Sequence, residues 1–387
     1  MSKIAIVTPN NDTFTNPTLT TLFHLLQERG VEVYLFGREQ LPACPDNIQN
    51  VTHKLSIFKL NIFSNPKQLF DHWKSYYKVI KTIRKEKINT ILAVDQLGLI
   101  VGGRIKRMFG TKLHLSYLSF EIFFKTELNG HYLKMKNKEV YYSKFIDSLL
   151  VQDKKRCDLL LKENKIVLDA NQIALVPVSP MKIEVQGKPD LHTEFNIPTD
   201  KKLVVYSGSV GEWCGTKAII EAFDNGYWND DFWLVFHTRK QIKDGEQYAE
   251  DLYRLDMNPA IPFSLHPNPF ESFEDLAAFL SGFDLALALY YPNFDNPYYG
   301  KNMMEIGLSS GKFSTYMMLG LPTIVTPCEV YEELMKKYNF GGLLVDINNI
   351  GNLMLANNYS NEIVDELYEK VLNPKFSLNK YIGLLNF

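Results

Sequence analysis

Short apolar runs alternate with longer stretches of helical period along most of this chain, and the alternation predicts its elements. Lys3 to Thr8 reads as a strand, Pro9 to Asn16 as a loop, and Pro17 to Arg29 as a helix. Asn16 is placed to cap that helix, Pro17 sits at its first position, and Gly30 ends it. Val31 to Phe36 is the next strand, and Lys67 to Lys87 a long amphipathic helix. The strand Thr90 to Val94 leads into Asp95, followed by a helix over Gly98 to Phe109 and a strand over Lys112 to Tyr117. A helix from Tyr132 to Ile146 and a strand from Ser148 to Gln152 follow, with Ala174 to Pro177 as one more strand. Strand–helix alternation of this kind calls for a parallel sheet covered on both faces.

The pattern lapses between Ser179 and Pro198, a polar stretch with three prolines, and then restarts. Strands are predicted at Lys202 to Ser207, Phe232 to His237, Ile261 to His266, Asp284 to Tyr290, Thr323 to Thr326 and Gly342 to Val345. Helices are predicted at Thr216 to Phe223, Gln247 to Leu255, Ser272 to Leu280 (with a Ser272-x-x-Asp275 capping box) and Val330 to Tyr338. The last forty residues read as mostly helical. The organisation expected is a first α/β domain over 1–178, a linker over 179–200, a second α/β domain over 201–365, and a C-terminal helical segment over 366–387 packing back toward the first domain. At 387 residues, two domains are also what chain length predicts.

Composition adds limits rather than a function. Apolar residues make up 45% and charged residues 22%, the balance of a globular protein, and no apolar run approaches the length of a membrane span. The opening MSKIAIVTPNND enters a strand at once and lacks the layout of a signal peptide, so a cytoplasmic location is expected. Cys44, Cys157, Cys214 and Cys328 are scattered without a CxxC pair, which fits a reducing compartment and disfavours structural zinc. Net charge is −2, unevenly spread: residues 1–180 hold 26 Lys and Arg against 16 Asp and Glu. That basic half opens peripheral contact with an anionic membrane, while the absence of a recognition motif disfavours nucleic acid.

The candidate chemistry lies on loops after strands. Gly208-x-x-Gly211-x-x-x-Gly215 follows a strand and opens a helix, so its amides suit a phosphate. It lacks the GxGxxG spacing, and His237-Thr238-Arg239 stands where a dinucleotide-binding acid would, which disfavours NAD. Ser309-Ser310-Gly311-Lys312 reads as a capped helix start, continued through Ser314 and Thr315 and stopped by Gly320-Leu321-Pro322. A lysine in a first helical turn opposes the helix dipole, so Lys312 is expected to answer a bound anion, with Arg239 and His237 as further partners. The long loop Pro292 to Leu308 carries Tyr298, Tyr299 and, near its end, Glu305, which suits sugar stacking and hydroxyl bonding. In the first half, Glu121 sits among aromatic neighbours after a strand and is the candidate general base. Asp95, directly after the strand Thr90 to Val94, and Asn16, at the end of the loop after the first strand, complete the acceptor-side set. No acidic pair with ligand spacing appears in either loop, so no metal or cofactor is expected.

These motifs together resemble glycosyltransferases of the GT-B fold, in the group similar to the bacterial family-four enzymes. Asp95-Gln-Leu-Gly-Leu, Ser116-Tyr-Leu-Ser-Phe-Glu121 and Ser148 to Arg156 are similar to landmarks of the acceptor domain in polysaccharide-building members. Val176-Pro-Val-Ser-Pro180 resembles the family's interdomain VPNSP, and Ser310-Gly-Lys312 through Pro322 its donor segment. The resemblance implies two doubly wound Rossmann-like domains facing a central cleft, with C-terminal helices crossing back to the first. It also implies a nucleoside diphosphate sugar as donor and a hydroxyl acceptor, a glycan or lipid-linked glycan. The family's paired glutamates fall at Gly307 and Thr315 here, so both acids are missing, and its diphosphate-clamping Arg and Lys are not evident. A nucleotide-sugar epimerase of the same fold, or a catalytically silent binding protein, are the alternative readings.

Overall fold

A computed structural model describes residues 2–8, 16–37, 48–50, 66–185, 187–243, 245–355 and 361–385. Most of the loop predicted after the first strand, and Cys44, lie outside them. The chain divides into two compact units, Met1–Val176 with Pro374–Phe387, and Pro177–Asn373.

Among its described residues the first unit is built on seven strands: β1 (Lys3–Thr8), β2 (Glu32–Gly37), β3 (Ile48–Asn50), β4 (Thr90–Val94), β5 (His114–Leu118), β6 (Ser148–Val151) and β7 (Ile173–Leu175). They lie in the order β3-β2-β1-β4-β5-β6-β7, with every pairing parallel. All five residues of β4 are buried, as a central strand covered on both faces requires. Sequence pattern gave no element at β3, nor the helix Lys154–Asn164, whose inward positions include Arg156 and Asn164 instead of a clean apolar stripe. The helix predicted from Gly98 begins at Asp95, directly at the strand end.

The second unit holds β8 (Lys202–Gly208), β9 (Phe232–Thr238), β10 (Phe263–His266), β11 (Leu285–Ala288), β12 (Thr323–Val325) and β13 (Gly341–Leu343). Their order is β10-β9-β8-β11-β12-β13, again all parallel. Both sheets are therefore doubly wound: the chain runs outward to one edge, then returns to the centre and runs to the other. The reversal falls between β1 and β4 in the first unit and between β8 and β11 in the second. Two apolar clusters pack the two faces of the second sheet, one around Phe313, Tyr316 and Tyr331, the other around Tyr206, Phe236 and Leu252.

The stretch read as a connector contributes Leu191 and Ile197 to the core of the second unit. The helix Asn361–Leu367 and the π-helical turn Tyr368–Leu372 stay in that unit, burying Val364, Leu367 and Tyr368. The last helix, Pro374–Gly383, belongs to the first unit. There Tyr381 Oη bonds Ser116 Oγ at 2.8 Å, and Thr90 Oγ1 donates to the Leu385 carbonyl at 3.0 Å. The chain thus crosses back to its first domain through one helix. Among the described residues, no helix is long and apolar enough to cross a membrane.

Candidate functional site

In open parallel sheets, ligands bind outside the carboxyl ends of the strands where the winding reverses. In the second unit that place is ringed by Gly208 at the end of β8, Arg239 beyond β9, and Tyr290 beyond β11. The helix Gly311–Met318 starts there, with Ser310 as its cap: Ser310 Oγ accepts from the Phe313 amide at 3.1 Å and also bonds Tyr290 Oη. Gly311 and Lys312 are its first two residues, whose amides have no acceptor within the helix.

Lys312 supplies the buried basic side chain at this place. Its side chain is buried, and Nζ has no hydrogen-bond partner among the described residues. The ammonium instead lies 3.9 Å from the centroid of the Tyr206 ring and 5.5 Å from that of Tyr290. Burial holds its pKa down at about 7; the charge of Arg239 acts in the same direction, and Cys214 acts against it. A cation buried without a counter-ion is costly unless something anionic completes it. Gly208 is what lets it approach: a Cβ there would stand 2.9 Å from both Cε and Nζ of Lys312. The Arg239 amide donates to the Gly208 carbonyl at 3.0 Å, which fixes the exposed Arg239 beside the same strand end.

The glycine loop is held from beneath. The Gly211 amide donates to Thr216 Oγ1 at 3.0 Å, the Cys214 thiol to the Ser209 carbonyl at 3.0 Å, and Gly215 takes φ +85° against Leu289. Trp213 stacks on Tyr299 with centroids 4.8 Å apart and planes at 9°, tying this loop to the one over residues 292–308. The second loop is not structureless as expected: it contains the helix Lys301–Met304 and the turn Gly307–Ser309. Pattern reasoning gave no sign of the Trp213–Tyr299 pair, since the partners are far apart in sequence.

Other predicted residues take different places. His237 is buried in an aromatic cluster with His266, Phe270 and Phe279, and its Nδ1 bonds Ser207 Oγ at 2.8 Å. Burial, then the nearby His266, lowers its pKa to about 4, so it is a neutral packing group. Ser314 Oγ and Thr315 Oγ1 donate back to the Ser310 and Gly311 carbonyls, at 3.3 and 2.8 Å. Ser309 closes the preceding turn through its amide, bonded to the Ile306 carbonyl at 2.9 Å. Glu305 lines a cavity of about 340 Å³ at the ends of β11 and β12, with Tyr290, Thr326 and Glu329. Of the two positions where the resembled family has glutamates, Gly307 sits at φ +44° and Thr315 is spent on its own helix.

In the first unit, Asn16 is a helix cap: its Oδ1 accepts from the Thr18 and Leu19 amides at 3.0 and 3.3 Å. Asp95 and Glu121 do meet. Asp95 Oδ1 accepts from the Phe120 and Glu121 amides at 2.7 and 3.2 Å, orienting the loop that carries Glu121. Burial, and then the charge of Glu121, raises the Asp95 pKa to about 7. Asp95 also adopts φ +55°, a strained conformation for a non-glycine residue at a strand end. The same loop is pinned by Arg156 Nη2 on the Phe120 carbonyl (2.6 Å) and Gln152 Nε2 on the Ser119 carbonyl (2.7 Å). Beneath it, the buried Glu139 accepts from Gln96, Tyr117 and Asn164 and pairs with Lys136. Nothing in the sequence marked these residues, because charged side chains at helical spacing read as a solvated face.

Among the described residues, no group of three or more His, Cys, Asp or Glu is arranged to hold a metal ion. What the second unit brings to one strand-end crevice is a buried Lys312 side chain, the Arg239 guanidinium, a helix start and a glycine loop, groups of the kind that suit an anion.

No family model and no curated protein matches the chain, so likeness is found in structure alone. It resembles Anabaena HepE solved in complex with UDP-glucose, with a TM-score of 0.68, 12% identity and 100% of both chains covered. WaaG, a glycosyltransferase involved in lipopolysaccharide biosynthesis, aligns with a TM-score of 0.66 and 12% identity over 99% of each chain. Sucrose-phosphate synthase from Thermosynechococcus elongatus aligns at 0.63 and 17% identity, over 100% of this chain and 95% of its own. With two doubly wound parallel units and alignments over essentially the whole length, this chain has the GT-B fold of those glycosyltransferases.

Proposed function

We propose that the chain is a glycosyltransferase moving a sugar from a nucleoside diphosphate to a hydroxyl acceptor, a glycan or a lipid-linked glycan. The observation that carries this reading is the buried, unpartnered Lys312 ammonium at the strand-end crevice of the second unit. The structural neighbours, one of them solved with UDP-glucose, support the donor class. In this reading the donor diphosphate lies over Gly208 and the helix start. As the acceptor oxygen attacks the anomeric carbon and the bond to diphosphate breaks, charge builds on the leaving group. Lys312, Arg239 and the amides of Gly311 and Lys312 stabilise that charge in a site already organised to receive it. The transition state is oxocarbenium-like, as in other glycosyl transfers. Glu121, oriented by Asp95, takes the acceptor proton in an inverting course. Transfer is metal-independent, since these cations meet the diphosphate charge, and it persists in EDTA. The reading places the protein in the cytoplasm, at a membrane face where the acceptor is lipid-linked.

A thermal-shift screen with UDP, GDP, CDP and dTDP sugars, followed by transfer of labelled sugar to glycan acceptors, tests this function. Stabilisation by one nucleotide class and acceptor-dependent transfer are expected. An epimerised sugar without acceptor would make the protein an epimerase, and binding without chemistry a silent homologue. Stabilisation by none of the donors refutes the reading.

A further inference from the structure

Fully buried charges of the first unit lie under the loop that carries Glu121. Glu139, Lys136, Arg156 and Asn164 are each 0% exposed. Glu139 stands on the helix Gly130–Ser143, where its Oε2 accepts from Gln96 Nε2 at 2.8 Å and pairs with Lys136 Nζ at 3.3 Å. Its Oε1 accepts from Tyr117 Oη at 3.1 Å and Asn164 Nδ2 at 2.6 Å, and Lys136 Nζ also donates to Asn164 Oδ1. One carboxylate thus gathers donors from β5 and from the helices Asp95–Phe109 and Lys154–Asn164. Gln96 directly follows Asp95, whose Oδ1 holds the Phe120 and Glu121 amides, and Tyr117 lies two residues before Ser119. The carbonyls of Ser119 and Phe120 are held by Gln152 and Arg156, and that of Glu121 by Ser119 Oγ at 3.0 Å. A buried ion pair is a weak stabiliser compared with an apolar pair of the same volume, but a fully bonded one fixes a single geometry.

We propose that Glu139 is a positioning residue for transfer: through Gln96 it holds the strand end at Asp95, and through Tyr117 it steadies the loop on which Glu121 meets the acceptor hydroxyl. The inference rests on the base role of Glu121 in the proposed function. The charge of Glu139 acts as well, since it is among the groups that raise Asp95, after burial and Glu121. The other titratable groups facing the cluster are Lys136 and Tyr117 within it and Arg156 on the loop. Asp153 caps the helix of Arg156, and Lys125 and Glu163 lie around Lys136. Removing the Glu139 charge therefore lets Asp95 lose its proton at lower pH, beside the base it orients.

The test replaces the pair together, Lys136→Met with Glu139→Gln, so that no buried charge is left unpaired and the fold is kept. Glutamine has one acceptor oxygen where the carboxylate has two, so either Gln96 or the Tyr117 side loses its bond. The expected result is a kcat lower on the order of a hundredfold, an unchanged KM for the nucleotide sugar, and a pH dependence of kcat displaced to lower pH. Hydrogen exchange read by mass spectrometry should be faster over residues 119–124 and unchanged over β1 and β2, a result that does not depend on transfer. Lys136→Met alone keeps the carboxylate and its bonds to Gln96 and Tyr117, so its loop should stay protected and its pH profile should not move to lower pH. Unchanged kcat and unchanged loop exchange in the double variant would overturn the proposal. So would a kcat loss with the pH profile in place and faster exchange across the whole first unit, which is what a merely structural role would give. If Glu121→Gln leaves turnover intact while the double variant frees the loop, the base role fails and the positioning of the loop stands.

Discussion

Replacing Lys312 by methionine should make the ligand-free protein more stable while removing its affinity for donor. The lysine pKa falls from 10.5 to about 7 in the folded chain, chiefly through burial. At about 1.36 kcal/mol per unit, holding the protonated amine there costs at most roughly 5 kcal/mol below pH 7. Methionine fills a similar volume without the charge. Because the folded pKa is the lower one, the unfolded chain binds more protons between about pH 7 and 10.5. Wild-type stability from this group therefore rises with pH across that window, and the advantage of the variant shrinks with it. Urea unfolding read by tryptophan fluorescence suits the measurement, since Trp213, Trp228 and Trp233 all lie in the second unit. A methionine variant less stable than wild type at pH 6, or a gap that stays constant up to pH 10, would rule out a buried charge held at a cost. A site kept at a cost in stability is what function would explain.

Three further outcomes follow from the geometry. Gly208→Ala puts a Cβ 2.9 Å from the Lys312 amine, which can swing aside, so the fold should survive while transfer drops on the order of a hundredfold in steady-state assays. Glu121→Gln should keep donor affinity by calorimetry and lower kcat by about 10²–10⁴, whereas normal turnover would remove the base role. Asp95 has its pKa raised from 3.8 to about 7, so its contribution to stability is present at low pH and lost as pH rises through about 7. Asp95→Asn should abolish that dependence and keep the loop, whereas Asp95→Ala leaves two amides unpaired at about 1–3 kcal/mol each, measurable by urea unfolding at pH 5 and 8.

Much of the fold was legible because parallel strands buried on both faces write themselves as short apolar runs between helical periods. The helix start at Ser310 and Lys312 was legible too, since caps and charges in a first turn follow local rules. Long-range placement was not. No local signal says that Lys312 stacks on Tyr206, a strand residue over a hundred positions earlier, or that it needs Gly208 to do so. The sheet order, which sets β8 beside β11, brings them together. Three candidate side chains make hydrogen bonds within their own element, and for Asn16 that cap was legible in the Asn16-Pro17 pair. Asn16 caps its helix, while Ser314 and Thr315 bond back to theirs. The helix Lys154–Asn164 escaped because Arg156 and Asn164 occupy inward positions, where pattern rules expect apolar residues.

In the proposed reading, Lys312 meets the donor diphosphate and takes up a proton as it does so. Calorimetric titration of the stabilising nucleotide sugar at pH 8, in two buffers of different ionisation enthalpy, tests it most directly. A free amine near pKa 7 that becomes fully protonated against diphosphate takes up about 0.9 proton per donor at that pH. The predicted result is that uptake in the wild type, with affinity at least a hundredfold weaker in Lys312→Met. Equal affinity in both proteins, with heats that do not depend on the buffer, would contradict it.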